Sequence, residues 1–370
     1  MVLTVHHKQR IYQIVNTQFR FARLAANNFI FSISSRSAEH HVNSIFAREG
    51  IKHYSMNTLL YVIWTIDPTL FDLGFLSVRW YGILFAMAFM AGFYILQWML
   101  KRENQPAAWM DSVFLTVMIG TILGARLGHV FFYQWDYYQQ NLMEIPMIWK
   151  GGLASHGAAI GILISLYIWS KRVSKKSMLW ILDRVVILVA LSGLFIRGGN
   201  FMNHEIVGKP TQTESGVKFM RNYDDISPND VQQITHMDVF EGKNLDRGKL
   251  NAAYDELLTN PAYTSIIEQV PNRYPAQLYE ALAYFLIFLV LMAAYIFTAA
   301  GTMNGLLFGV YLTTAFTARF FIEFLKEVQV DFEESMVLDM GQWLSIPLVI
   351  AGVFFVIRAV MLKNKETSPS

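Results

Sequence analysis

The chain has 370 residues and no cysteine, and this absence excludes several kinds of chemistry at once. Without cysteine there is no disulfide, no thiolate zinc site and no cysteine nucleophile. Charged residues are scarce, at 16% of the chain against about 25% in a typical soluble domain. The net charge of +2 is too small for a nucleic-acid-binding surface. Nucleic acid is therefore not an expected partner.

Apolar residues are abundant instead, at 54% of the chain. They form seven runs that approach the roughly 20 residues a helix needs to cross a bilayer. The runs are Tyr81–Leu100, Val113–Tyr133, Gly152–Ser170, Met178–Ile196, Ala276–Ala299, Leu306–Phe324 and Met340–Leu362. The sequence thus predicts an all-α integral membrane protein with seven transmembrane helices.

The polar segments between these runs predict the domain organisation. The basic segment 1–55 lacks an apolar core of signal-peptide type, and our hypothesis is that it is a dispensable extension from a start codon placed too early. The remaining predicted parts are helices 1–4 in 56–197, an interfacial arm in 134–150, a head domain in 198–275, helices 5–7 in 276–362 and a tail in 363–370. The aromatic content of 134–150 favours its location at the membrane surface.

Basic residues in the short loops predict the orientation. Lys101 and Arg102 follow the first run, Lys171 and Arg172 follow the third, and Lys363 follows the last. By the positive-inside rule these loops are cytoplasmic. The arm, the head domain and an acidic loop around residues 327–334 then face the other side, which is the periplasm if the membrane is a bacterial inner membrane.

Ionisable residues inside apolar runs are functional candidates, because an unpaired charge there is costly. The pairs Asp183–Arg184 and Arg319–Glu323 also permit a structural interpretation, the second at helical i,i+4 spacing. Other candidates gather toward the predicted outer face, in glycine-rich segments that contain His156, Arg197 and Glu205. Arginines near a membrane surface indicate an anionic head group, since guanidinium donors match phosphate oxygens.

One possible metal motif fails. His204-Glu205-Ile206-Val207 begins like the zinc motif HExxH, but residue 208 is glycine and the second histidine is missing. With no cysteine and no second histidine at this spacing, we therefore expect no metal site.

The run from Arg197 to Gly208, RGGNFMNHEIVG, resembles the signature R-x-G-N-F-x-N-x-E-x-x-G of the prolipoprotein diacylglyceryl transferase family. Further blocks with the same order as in that family are Asp67-Pro68, Trp80-Tyr81-Gly82, Gly124-x-Arg126-x-Gly128, Ser155-His156-Gly157, Asp183, Gln277-Leu278-Tyr279-Glu280, Arg319 with Glu323, and Gly341-Gln342. The resemblance covers about residues 57–362.

Four positions in three motifs depart from the family pattern. A family histidine is Tyr274 here, H-G-G-L reads His156-Gly157-Ala158-Ala159, and a tyrosine four residues before Arg319 is Ala315. If that tyrosine has a role elsewhere, another residue such as Tyr311 would have to fill it.

The resemblance implies transfer of the diacylglyceryl group of phosphatidylglycerol to the lipobox cysteine of a prolipoprotein, with a thioether formed and glycerol 1-phosphate released. The implied partners are phosphatidylglycerol, the prolipoprotein signal peptide and membrane lipids. The implied catalytic residues are His156, Arg197, Arg319 and Glu205. The implied substrate-binding residues are Arg197, Asn200, Asn203, Gly208, Tyr81, Arg126, Gln277, Tyr279, Glu280 and Glu323.

Other classes of protein also place charges inside membrane helices. A secondary transporter of an anionic solute or lipid is the main alternative, and it predicts internal repeats. A serine-type intramembrane hydrolase would need a serine directed at His156, but the adjacent Ser155 is a sequence neighbour and points elsewhere on a helix. An assembly protein would not need so many buried charges.

Overall fold

The computed structural model describes residues 62–73, 77–148, 151–152, 154–213, 216–327 and 336–367. The predicted extension 1–55 and most of the acidic loop lie outside these residues. The described part is mostly helical, and six of its helices are long and apolar enough to cross a membrane. The chain is therefore a multi-pass membrane protein.

The long helices follow the predicted apolar runs closely, and shorter helices lie between them. In chain order they are α1 (Trp80–Arg102), α2 (Ala108–Phe132), α3 (Trp135–Tyr138), α4 (Ser155–Trp169), α5 (Met178–Met202), α6 (Pro228–Thr235), α7 (Arg247–Thr259), α8 (Thr264–Gln269), α9 (Ala276–Phe297), α10 (Leu306–Glu323) and α11 (Met340–Thr367). The six long apolar ones are α1, α2, α5, α9, α10 and α11.

Helix α4 replaces the third predicted span and is shorter than expected. It has 15 residues and continues into a π-helical turn at Ser170–Ser174. The prediction began at Gly152, but Gly151 and Gly152 have φ values of 83° and 73° and form a turn before the helix. Within the part of the chain that the structure describes, six helices rather than the predicted seven thus have the length and composition of a span.

Helix α5 is longer than predicted. The fourth run was expected to end at Arg197, but the helix continues to Met202 and includes Asn200. Gly198 and Gly199 are helical, so the glycines of the signature run do not turn the chain here. At Gly199 a Cβ atom would lie 2.6 Å from the ring of Tyr81, and the absence of a side chain lets α1 approach.

Glycines also bring α2 and α4 into contact. A Cβ at Gly124 would lie 2.3 Å from the carbonyl oxygen of Gly157, and one at Gly128 would lie 2.6 Å from the Gly157 Cα. On the other helix, a Cβ at Gly161 would lie 2.1 Å from the carbonyl oxygen of Gly120. The facing glycines of α2 and α4 thus form a surface for close helix packing.

Asp183 and Arg184 hold helix ends together, which confirms their structural interpretation. The Asp183 carboxylate accepts hydrogen bonds from the backbone N–H groups of Gly305 and Phe308, at 2.7 and 2.8 Å, and caps the start of α10. Glu103 receives Arg184 at 2.8 Å and the hydroxyl of Tyr295 at 2.6 Å. These bonds satisfy charges and amide groups that would otherwise be costly in an apolar bundle.

The all-α prediction misses several short strands. They are β1 (Val62–Trp64), β2 (Thr69–Asp72), β3 (Ser77–Arg79), β4 (Val217–Phe219), β5 (Phe240–Glu241) and β6 (Asn244–Leu245). β1 pairs with β4 in parallel, whereas β2–β3 and β5–β6 are antiparallel. The segment from β4 to α8 has an apolar core of its own, built around Met220, Val231, Ala253, Tyr254 and Leu257.

The packing of α2 on α4 makes a testable prediction. Gly124→Ala forces a methyl group against a backbone carbonyl, and we expect it to lower the free energy of unfolding by about 1–3 kcal/mol. Gly92→Ala is the matched control in α1, because its Cβ would lie 3.8 Å from Leu188, an ordinary contact. Thermal unfolding in detergent measures both, and equal melting temperatures for the two variants would contradict the packing described.

Candidate functional site

The predicted site residues lie at one end of the helix bundle. The helices alternate in direction, so this end combines the starts of α1, α4, α9 and α11 with the ends of α2, α5 and α10. Arg197 near the end of α5 reaches Glu280 near the start of α9, and Gly341 at the start of α11 packs on the carboxylate of Glu323. The structure therefore brings together residues that are far apart in sequence.

Arg197 is held by a carboxylate and an amide. Its Nε lies 2.7 Å from an oxygen of Glu280, whose side chain is only 3% exposed. Its Nη1 donates to the Oδ1 of Asn200 at 3.1 Å, and the Nδ2 of Asn200 donates to Glu205 at 2.8 Å. Asn200 thus links the guanidinium of Arg197 to the exposed carboxylate of Glu205 and fixes the geometry of both.

The chain of charges continues from Glu280 to the second predicted arginine. The amine of Lys326 lies 3.7 Å from Glu280 and 3.2 Å from Glu323. Arg319 lies 3.8 Å from Glu323, as the i,i+4 spacing predicted. Positive and negative groups therefore alternate from Arg197 through Glu280, Lys326 and Glu323 to Arg319. We call these five residues the charge cluster.

Lys326 was missed by the sequence analysis, although it is 5% exposed and central to the charge cluster. Its i,i+3 spacing from Glu323 was an available signal, but the link to Glu280 exists only in the fold. The backbone of Lys326 pairs with Gly208, the last residue of the signature run. A Cβ at Gly208 would lie 2.4 Å from the carbonyl oxygen of Tyr274, so this pairing requires glycine.

Arg273 supports the same junction from outside the bundle. It donates to the carbonyl oxygen of Gly208 at 3.1 Å and to both carboxylate oxygens of Asp225 at 2.6 Å, and it also pairs with Glu327. Burial opposes the charge of Arg273, but these two carboxylates outweigh it and raise the pKa of the guanidinium. The segment between Glu205 and Gly208 is consequently held on two sides.

Several predicted substrate-binding residues border the charge cluster. Gln277 is fully buried and donates from Nε2 to the backbone oxygen of Glu205 at 2.7 Å, while Asn203 donates to the Glu205 side chain at 3.3 Å. Tyr81 is partly buried against Gly199, and Tyr279 is partly buried one residue before Glu280. Their proposed contacts with substrate stay predictions.

Arg126 has a different environment from the one predicted. It is 2% exposed, and its described hydrogen bonds go to backbone carbonyl oxygens of Glu144, Ile145, Gly151 and Gly152, at 2.6 to 3.3 Å. Its guanidinium also lies 4.9 Å from the ring centre of Tyr138. Through these bonds Arg126 holds the arm 134–150 on the end of α2. A substrate contact of Arg126 stays a prediction.

His156 is exposed in the first turn of α4, next to the glycine contact between α4 and α2. It is on the same end of the bundle as Arg197, and its catalytic role stays a prediction.

At the departure from the family pattern, Ala315 is buried in the apolar core together with Tyr311, which is 9% exposed. Tyr311 is therefore enclosed by apolar side chains.

Within the described ranges there is no group of three or more histidine, aspartate or glutamate side chains that could hold a metal ion. His204, from the incomplete zinc motif, instead donates to the backbone oxygen of Ile66 at 2.8 Å.

Comparison with known proteins identifies the family. The family model described as prolipoprotein diacylglyceryl transferase matches residues 68–358, more than three quarters of the chain. The chain belongs to the prolipoprotein diacylglyceryl transferase family. The resemblance of the signature run is thereby confirmed over the whole helical bundle.

Individual relatives align with this chain over almost their full length. The chain is 37% identical to a protein of Chloroherpeton thalassium over 84% of this chain and 99% of the relative. It is 36% identical to one of Tolumonas auensis over 82% and 100%, and 39% identical to one of Porphyromonas gingivalis over 83% and 97%. All three carry the name phosphatidylglycerol–prolipoprotein diacylglyceryl transferase. The transporter alternative finds no support and is set aside.

The position of Lys326 makes a prediction about stability. Lys326→Gln removes the cation between two carboxylates, and we expect it to lower the free energy of unfolding by about 3–5 kcal/mol, as for a broken buried ion pair. Lys326→Arg keeps the charge and should retain most of the stability. The exposed Lys209, which follows the bridge partner Gly208, is the matched control, and Lys209→Gln should change stability by less than about 0.5 kcal/mol. Equal melting temperatures for Lys326→Gln and Lys209→Gln would refute the bridging role.

Proposed function

We propose that this chain transfers the diacylglyceryl group of phosphatidylglycerol to the lipobox cysteine of a prolipoprotein, next to its signal peptide. The transfer between these two substrates is the activity named for its relatives. The observation that carries the proposal for this chain is the charge cluster, in which two arginines flank carboxylates at one end of an apolar bundle. Such a site suits an anionic lipid whose phosphate leaves during the reaction.

The two arginines have different roles in this proposal. Arg197 is fixed by Glu280 and Asn200, so its donors are aimed before a ligand binds, and preorganised donors are what stabilise a developing charge. Arg319 has 31% of its side chain exposed and a contact of 3.8 Å with Glu323, which is too long for a hydrogen bond. Its guanidinium is therefore available to a phosphate group.

The reaction is a displacement at the glycerol carbon of the lipid. The cysteine thiolate forms a new C–S bond, and the C–O bond to the phosphate breaks with its electron pair on oxygen. The products are a thioether on the prolipoprotein and glycerol 1-phosphate. Arg197 and Arg319 hold the charge of the leaving phosphate, while Asn200, Asn203 and Glu205 orient the guanidinium and the substrate oxygens.

A base must take the thiol proton, because the thiolate is the nucleophile. His156 is the proposed base, since it is an exposed imidazole at the same end of the bundle and histidine titrates near neutral pH. Tyr81, Arg126, Gly208, Gln277, Tyr279, Glu280 and Glu323 form the proposed substrate-binding surroundings. The reaction balances without a metal or a cofactor.

The membrane arrangement is part of the proposal. Lys101, Arg102, Lys171 and Arg172 lie at the bundle end opposite the charge cluster, and the positive-inside rule makes that end cytoplasmic. The charge cluster and the head domain 198–275 then face the periplasm from a bacterial inner membrane. Helix α4 with its π turn serves as the seventh crossing. The arm 134–150 lies in the interface, where Met143 and Tyr137 are exposed.

Purified protein, phosphatidylglycerol and a lipobox peptide test the transfer directly. We expect a peptide with a thioether-linked diacylglyceryl group, detected by mass spectrometry. Arg197→Ala should lower the rate by about 10²–10³, the usual effect of losing one donor to transition-state charge. Arg102→Ala, at the other end of the bundle, is the control and should keep the rate. An Arg197→Ala enzyme as fast as the control would sink the proposal.

The role of His156 has its own test. His156→Gln keeps the size and polarity of the side chain but cannot accept the thiol proton near neutral pH, so we expect a fall of about 10²–10⁴ in rate. The loss should shrink as the pH is raised toward the thiol pKa of about 8.5, where thiolate forms without a base. A variant with full activity at pH 7 would disprove the base assignment and leave the transferase proposal standing.

A further inference from the structure

A large cavity lies beside Glu205, which Asn200 links to Arg197 of the charge cluster. Its volume is about 1010 Å³, at the upper end of the roughly 300–1,000 Å³ typical of small-molecule sites. Asn203 and Glu205 of the signature run form one wall. The strands β2 and β3 form a second wall, and the segment from Arg221 to Tyr254 forms a third. Glu205 thus belongs both to the proposed reaction centre and to this cavity.

The charges on the cavity wall are balanced. Four arginines and four carboxylates line it. Two of the arginines are already paired, Arg247 with Asp67 at 2.8 Å and Arg273 with Asp225 at 2.6 Å. A site for a phosphate group normally offers an excess of positive charge. The wall therefore fits a polar ligand of little net charge better than a lipid head group.

Hydrogen-bonding groups on the wall point to the same class of ligand. His204 is 2% exposed, and burial lowers its pKa to about 4, so the ring is neutral. Its Nε2 donates to Ile66, which leaves Nδ1 as an acceptor with no partner among the described residues. The Oδ1 of Asn203 and the hydroxyl of Tyr254 also lack a partner there. These three atoms are themselves buried within the wall, so His204 contributes a neutral ring and no cation to the cavity, which agrees with a polar ligand of little net charge rather than a phosphate group.

The position of the cavity agrees with the path of a polypeptide substrate. In the proposed function, the acceptor cysteine reacts at the centre to which Arg197 and Glu205 belong, while its apolar signal segment stays in lipid. The residues that follow the cysteine must leave the lipid, because their backbone groups need hydrogen-bond partners. The cavity is the polar space next to Glu205 along that exit.

We propose that this cavity binds the polypeptide segment that directly follows the acceptor cysteine of the prolipoprotein. The proposal rests on the proposed function and adds a subsite for the mature part of the substrate. It assigns to the segment 217–270 the recognition of the peptide backbone beyond the reacting cysteine.

The chain has no cysteine of its own, so a single introduced cysteine can report on the cavity. Leu245→Cys and Tyr223→Cys place a thiol on the cavity wall, and both native side chains are exposed there. Lys243→Cys is the matched control, exposed on the same β5–β6 hairpin but outside the lining. The probe is a lipobox peptide with serine in place of the acceptor cysteine and a 2-pyridyl disulfide on a cysteine three residues further on.

Attack of the protein thiolate on this probe forms a mixed disulfide and releases 2-thiopyridone, which is followed by absorbance. We expect capture at Leu245→Cys and Tyr223→Cys to be at least about tenfold faster than at Lys243→Cys, since binding raises the effective concentration of the thiol. Unlabelled lipobox peptide should slow capture, and vesicles of phosphatidylglycerol alone should not. Equal rates at all three positions, or protection by the vesicles alone, would overturn the proposal.

A kinetic variant separates this subsite from the transferase proposal. Leu245→Trp narrows the cavity, and we expect it to lower kcat/KM severalfold for a peptide extending five residues beyond the cysteine. The rate with a peptide ending at the cysteine, and the KM for phosphatidylglycerol, should stay at the native values. Equal loss with both peptides refutes the subsite, whereas absence of transfer by the native enzyme refutes the proposed function itself.

Discussion

The need to neutralise charge inside an apolar bundle governs this structure. Glu280 is 2% exposed and lies between Arg197 and Lys326, so neither the carboxylate nor its cations is left uncompensated. Lys326, three residues after the end of α10, therefore lies beside α9. Its pairing with Gly208 then holds the end of the signature run against the same cations. The fold around the site depends on this one set of ion pairs.

The two ends of the bundle use charge in different ways. At one end Asp183 caps α10 and Glu103 binds Arg184 and Tyr295, and every one of these contacts joins helix ends. At the other end the ion pairs leave Arg319 partly exposed and Glu205 open to a polar cavity. A buried charge whose partners all belong to neighbouring helices indicates a structural role, whereas a charge that is held in place and still accessible indicates a functional role.

Most of the helical architecture could be predicted from hydropathy, because a span needs about 20 apolar residues and few other structures do. The errors have physical causes. Helix α5 continues through Gly198 and Gly199, where the missing side chain of Gly199 leaves space for the ring of Tyr81 instead of turning the chain. Helix α4 starts late because Gly151 and Gly152 turn the chain. The short strands escaped notice because two to four residues carry too little periodicity to recognise.

By itself the sequence determined the family and the apolar bundle. It also marked Arg197, Asn200, Glu205 and Arg319 as candidate site residues. A long signature and long apolar runs consist of neighbouring residues, so they can be recognised without knowledge of the fold. Only the tertiary structure decided which charges meet. It joined Lys326 to Glu280 across 46 residues of sequence, directed Arg126 to the backbone of the arm, and opened a cavity beside Glu205. Those contacts link distant segments, and distance in space is set by packing rather than by the order of residues.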